Sequence, residues 1–276
     1  VKPRADHTLT AMARPAASLH TARAPWAWAL LGALLGALLA LALFAPAQWL
    51  ARSITQASAG QVQLAQARGT LWNGSAQLLL TGGAASQDRA ALPGRIAWQL
   101  RPTWSGLRAQ LHAACCTASP LQLQIHLRWD GARITLADSQ SQWPAAVLAG
   151  LGTPWNTLQP QGQLVLRTTG LQADWAAGRM VLTGQAQLDA LAMFSRLSTV
   201  APMGSYRLAL QGGAVPTLTL QTLEGSLQLS GSGQWIGQRL RFAGEASAAP
   251  ERQAALANLL NIIGRRSGAR SLITLG

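Results

Sequence analysis

The chain has 276 residues, 22 basic against 9 acidic, and its formal charge of +13 is carried almost wholly by arginine, since Lys2 is the sole lysine. Nine carboxylates scattered singly and four histidines leave little material for paired acid–base chemistry or a clustered metal site. The arginines come one at a time and form no blocks, which ranks lipid headgroups or an acidic protein partner above nucleic acid; the Ala- and Arg-rich usage is equally what a GC-rich genome produces.

Residues 1–23 carry Lys2, Arg4, Arg14 and Arg23 against Asp6 and read as a basic tail that stays in the cytoplasm. The stretch 24–51 has no charged side chain and reads as a transmembrane anchor, long enough as a helix to cross the roughly 30 Å hydrocarbon core. Its anchoring residues are Trp26, Trp28, Leu31, Leu35, Leu39, Phe44 and Trp49, with the indoles near the two ends where headgroups lie. The rival reading is a cleaved signal peptide ending near Ala45-Pro46-Ala47, but the apolar run exceeds the roughly 7–15 residues of such a segment and Pro46 fits a cleavage site poorly. Under either reading the remainder, residues 52–276, is exported, as a β-rich periplasmic domain behind an inner membrane.

Ile54 to Gln66 reads as a short helical or extended stem. Asn73-Gly74 signals a tight turn, which also accounts for the sequon Asn73-Gly74-Ser75 without modification. Short strands with period-two alternation follow. In Arg95–Arg101, Ile96, Trp98 and Leu100 share a face; in Leu121–Leu127, the outward set includes His126, which is most simply a solvent-facing strand residue. Arg133–Leu136 pairs back across the turn dipeptide Asp130-Gly131.

Residues 139–160 break the alternation with Pro144, Gly150, Gly152, Pro154 and Pro160, and a short helix fits Trp143–Gly150. This interruption is either a boundary between two halves, 67–138 and 161–276, or an excursion within one domain. Alternation returns over 162–168, 179–188, 205–211, 217–223, 226–235 and 238–246, whereas Asp189–Val200, with Leu191, Phe194 and Leu197 three apart, reads as a helix or loop. Leu256, Leu259, Leu260 and Ile263 then mark an amphipathic helix stopped by Gly264, and Ser271–Leu275 adds an edge strand. The fold class is therefore mainly β: a transmembrane helix, then a mostly antiparallel, curved β-meander with a short C-terminal helix.

Residues for catalysis, cofactor or metal do not assemble in the sequence. A GxSxG elbow is missing, Gly231–Gly237 reads as a hairpin, and His112 with Cys115 and Cys116 makes a metal set lacking a fourth ligand. The adjacent cysteines could form a vicinal disulfide, pair with another chain or remain free. Trp72, Trp98, Trp104, Trp129, Trp175 and Trp235 fall on strands or strand ends, where core packing is the default, although an apolar inner sheet face could hold a lipid chain.

The run Thr222–Trp235, followed by Arg239–Gly244 and Ala257–Arg266, resembles the type II secretion system protein N family, and Gly69–Gly74 with Pro202–Leu208 supports the likeness. The residues that carry it are Gly69, Trp72, Gly74, Gly204, Tyr206, Glu224, Gly225, Gly231, Gly233, Trp235, Asn258 and Gly264. They mark turns and strands, and identify a relative without marking a site. The resemblance implies a non-enzymatic, single-pass inner-membrane subunit whose periplasmic β-domain supports export of folded proteins across the outer membrane. Its implied partners are the inner membrane and other secretion subunits, with anionic lipid a further candidate and nucleic acid not among them; no cofactor and no catalytic residue is implied. The fold is also similar to membrane-anchored periplasmic β-proteins that include lipid-transport scaffolds, so a lipid-binding β-groove is the alternative.

Overall fold

The computed structural model describes residues 26–84, 86–176, 178–237 and 239–276, so the expected tail over 1–23 lies outside the described residues. The chain divides into two units, Val1–Ala42 and Leu43–Gly276. The first contributes α1 (Trp26–Leu43), an uninterrupted Leu/Ala/Gly helix with no buried residue. Its 18 residues are long and apolar enough to cross a membrane. The uncharged stretch 24–51 does not continue as one helix, because the chain leaves helical geometry at Phe44–Pro46 before α2 (Ala47–Ala57) begins. Pro46 has an extended backbone and supplies no N–H for a continuing helix.

In the second unit Ala47, Leu50, Ala51 and Ile54 of α2 lie at i, i+3, i+4 and i+7, the spacing of one helix face, and pack against Leu64, Ala76 and Trp98. The strands that follow are β1 (Val62–Gly69), β2 (Asn73–Thr81), β3 (Arg89–Ala91), β4 (Ile96–Thr103), β5 (Gly106–Ala113), β6 (Leu121–Arg128), β7 (Gly131–Leu136) and β8 (Ser139–Pro144). A 3₁₀ segment (Ala145–Leu151) and the one-turn α3 (Trp155–Leu158) lead to β9 (Pro160–Ala176), β10 (Arg179–Ser195), β11 (Gly204–Gly213), β12 (Thr217–Gly225), β13 (Leu227–Ile236) and β14 (Arg239–Ala248). The chain ends with α4 (Gln253–Ile263), β15 (Arg265–Ser267) and β16 (Arg270–Leu275).

Among the described residues the sixteen strands join one antiparallel sheet that does not close, with β1 and β15 outermost and β3 and β8 paired off the main path to β2 and β9. The fold is thus mainly β with an apolar N-terminal helix and a short C-terminal one. β7 pairs with the far half of β9 while β8 pairs with its near half, so the sheet runs on through the Pro/Gly-rich segment. Four expectations shift in detail. Trp143–Gly150 is not one helix, because Trp143 and Pro144 pair with β9 as the end of β8 and only Ala145–Leu151 coils, as 3₁₀. Gly231–Gly237 is not a hairpin, because Gly231 to Ile236 run on within β13 in register with β14. Asp189–Val200 is strand as far as Ser195, because a register shift between Ala190 and Met193, with Ala192 at φ 49°, resets the alternation and sends Met193 into the core. Ser271–Leu275 belongs to β16, but β15 lies outside it and takes the edge.

The core lies on one face of the sheet in three linked clusters: α2 with β1, β2 and β4; Leu92, Ala113, Cys116 and Val147; and α4 with β9–β14. Trp143 packs against the second and third and joins them.

Candidate functional site

The C-terminal half of this face forms an apolar groove of about 400 Å³. Strand register builds it. Leu188, Leu208 and Leu220 pair across β10, β11 and β12, and the row continues through Gly231, Gly244 and Ile273. The neighbouring row is Leu210, Leu218, Gly233, Phe242 and Leu275. Alternation along each strand puts all of these on one side. α4 covers one flank, burying Leu256, Leu259 and Leu260, and Leu148, Trp155 and Leu158 line the other.

The glycines of the last rows make space for an aromatic ring. A Cβ on Gly231 would lie 2.5 Å from Phe242 Cζ, and one on Gly244 3.0 Å from Phe242 Cε1, so the ring rests flat against bare backbone. The same device recurs near α2. A Cβ on Gly74 would meet Trp98 Cζ2 at 2.5 Å, and the Trp98 indole, fully buried, donates from Nε1 to Leu71 O at 3.0 Å.

Two polar side chains line the groove, Ser195 and Tyr206. Ser195 Oγ donates to Leu158 O. The Tyr206 hydroxyl is buried and has no hydrogen-bond partner, and burial holds the phenol well above its usual pKa. An unpaired buried donor is disfavoured by about 1–3 kcal/mol, so this hydroxyl would gain from an acceptor on a ligand. The chemistry on offer is apolar accommodation, with the Tyr206 hydroxyl as an unpaired donor and no charged side chain in the lining.

The other face of the same strands is polar. Asp189, with its side chain 5% exposed, accepts from Arg207 Nε at 2.7 Å and from Arg167 Nη1 at 2.8 Å. Arg207 first, then Gln187 and Arg167, hold its carboxyl below the usual carboxylate value against the opposing effect of burial. This cluster fastens β9, β10 and β11 together.

The remaining chemical candidates have structural neighbours. His112 Nδ1 lies 3.0 Å from Thr117 Oγ1, and His126 Nδ1 lies 3.1 Å from Ser105 Oγ. Cys115 and Cys116 are joined as a vicinal disulfide in the β5–β6 connection. Among the described residues no three of His, Cys, Asp and Glu converge in a way that could hold a metal ion.

Of the anchoring residues, Trp26, Trp28, Leu31, Leu35 and Leu39 lie on α1, Phe44 follows it, and Trp49 lies on the first turn of α2. The residues carrying the family likeness are dispersed over the β-domain. Gly69, Trp72 and Gly74 form the β1–β2 hairpin. Gly204 and Gly225 pair directly, with the Tyr206 ring folded over Gly204, and Glu224 accepts from Ser205 Oγ at 3.1 Å. Gly231, Gly233 and Trp235 lie on β13, Asn258 on the exposed side of α4, and Gly264 against Leu272. Phe242 and the paired leucines are absent from that set. Their alternation was visible in the sequence, but register alone brings them together.

These features define a class: an open antiparallel sheet with an apolar groove on one face, preceded by a helix able to span a membrane. The family model for type II secretion system (T2SS), protein N, matches residues 60–272. The chain belongs to that family, whose members are accessory components of the secretion machine, and membership implies contact with its other subunits. No curated protein and no solved structure gives a significant match to the chain.

Proposed function

We propose that the chain is a non-enzymatic, single-pass inner-membrane subunit of the type II secretion system, with its N-terminus in the cytoplasm and its β-domain in the periplasm. The family match over 60–272 carries this reading. α1 supports the membrane location by length and composition, and the single basic tail ahead of it supports the orientation. Tethering raises the effective concentration of the β-domain near other inner-membrane subunits, so modest contacts suffice. Deleting the protein should lower the amount of exoprotein in the medium. Supplying the full chain should restore it, and supplying the exported domain without α1 should restore it poorly. Unchanged secretion would overturn the reading.

A second reading, a lipid-binding β-groove, is favoured by one observation: the groove of about 400 Å³ with the unpaired Tyr206 hydroxyl. That volume and a mainly apolar lining fall within the range of ligand pockets. Mass spectrometry of the full chain extracted from membranes tests it. Lipid retained by the native chain and lost on Tyr206→Phe would support it; equal traces in both would not.

A further inference from the structure

The antiparallel meander sends the β1–β2, β4–β5, β6–β7, β9–β10, β11–β12 and β13–β14 hairpins to one end of the sheet. Large apolar side chains stand exposed at successive turns there: Trp104 between β4 and β5, Trp129 between β6 and β7, Trp175 and Met180 flanking the β9–β10 turn, Val215 and Ile236 beyond. Trp104 and Trp129 touch almost nothing, at 110% and 109% relative exposure. At the opposite end Ala59-Gly60, Gly82 to Ala84 and Gly225-Ser226 are small, and the exposed apolar side chains there, Leu197 at 40% and Leu223 at 41%, stay well below Trp104 and Trp129. Fully exposed indoles at consecutive hairpins have no role in holding this sheet together, and burying them against something is favourable.

The chain also arrives at this end. Pro46 bridges to Thr70, and Leu71 N donates to Ala45 O at 2.7 Å, so the first residues after α1 are pinned to the β1–β2 hairpin. Phe44 and Trp49, both exposed, flank that point. Along the sheet, Trp129 is four to five strands from β1, about 20–24 Å at ordinary strand spacing. Register places each tip higher than the last: Asn73 pairs with Gln99, four residues before Thr103, and Gly106 pairs with His126, two before Arg128. The Trp72, Trp104 and Trp129 turns therefore lie on a line inclined at roughly 45° to the strands. Arg68, Arg101, Arg108 and Arg128 are exposed beside it, and Asp130 is the exposed acid among them.

We propose that this hairpin rim lies in the headgroup layer of the anionic bilayer that holds α1, with Trp104 and Trp129 as interfacial anchors and the arginines against acidic phospholipid. Indoles favour that layer, and arginines beside it are attracted by acidic headgroups while their stems lie along apolar surface. The strands then stand tilted at the membrane. The inference rests on the membrane-anchored reading and adds a second attachment to it.

The test uses the full chain in vesicles of phosphatidylcholine and phosphatidylglycerol, in a Cys115→Ser, Cys116→Ser background, with an environment-sensitive thiol dye at Trp104→Cys, Trp129→Cys, Leu35→Cys or Ser226→Cys. Brominated lipid should quench the dye at positions 35, 104 and 129 and leave position 226 unquenched, and replacing phosphatidylglycerol with phosphatidylcholine should weaken quenching at 104 and 129 alone. The two rim tryptophans are fully exposed, so their substitution removes no packing, which melting curves of the labelled proteins confirm. Quenching at 35 with 104 and 129 behaving like 226 overturns the rim while leaving the anchor standing. No quenching at 35 overturns the anchor itself. Shielding of 104 and 129 only when other secretion subunits are added assigns the rim to a protein partner and also overturns the proposal.

Discussion

Replacing Asp189 by asparagine tests the polar face of the sheet. The carboxylate is nearly inaccessible, at 5%, and receives two bonds from Arg207, at 2.7 and 3.1 Å, and one from Arg167, at 2.8 Å. Breaking a fully buried pair by removing one partner costs about 3–5 kcal/mol. Here the guanidiniums are 33% and 45% exposed, so water recovers them and about 2 kcal/mol is the expected loss. For a domain of this size that lowers Tm by about 4–8 °C. The pH dependence gives the sharper check. Because Arg207 and its neighbours lower the folded-state pKa below the unfolded value of about 3.9, the folded protein releases this proton more readily. The stabilisation is fully present above the unfolded pKa and disappears as pH falls through the lower folded one. Thermal melts of the full chain in detergent, followed by circular dichroism, should show the gap between native and Asp189→Asn proteins wide at pH 7 and narrowing below about pH 4. Equal melting temperatures at pH 7, or a gap that stays constant under acid, would refute the argument.

Three further experiments probe the groove, the α4 core and the β5–β6 connection. Gly231→Ala places a methyl group against the Phe242 ring and within 2.9 Å of Ala243 O, and should destabilise by about 1–3 kcal/mol in urea unfolding, with Phe242→Leu in the same chain recovering part of it. Leu256→Ala empties a fully buried position under α4 and should cost about 2–5 kcal/mol, read from the shift in urea midpoint. Replacing Cys115 by serine and the buried Cys116 by alanine should change stability by about 1 kcal/mol or less, since a crosslink between adjacent residues closes almost no loop; a larger drop in Tm would give the disulfide a role in the fold.

Legibility in the sequence followed the range of the interaction. The β6–β7 hairpin and the α4 stripe of Leu256, Leu259, Leu260 and Ile263 are local patterns, and both appear, the hairpin with its two-residue turn at Trp129-Asp130, one residue ahead of the expected Asp130-Gly131. β5 and the second half of β10 are harder. β5 alternates Leu107, Ala109, Leu111 and Ala113 with Arg108, Gln110 and His112, a strand pattern diluted by its two alanines, and β10 has a bulge at Ala192 that mimics a spacing of three. The groove is a further step removed, because each leucine row exists only once five or six strands are in register. Gly231 and Gly233 were visible as a family likeness; the reason for them, a ring from β14 lying across β13, is a long-range fact.

Topology offers the most direct test, because the proposed function requires the β-domain to stand outside the cytoplasm at the inner membrane. Alkaline phosphatase fused after Gly276 of the full chain should be active in membrane fractions of intact cells, while a cytosol-dependent fluorescent reporter at the same place stays dark. A bright fluorescent fusion with inactive phosphatase would contradict the account.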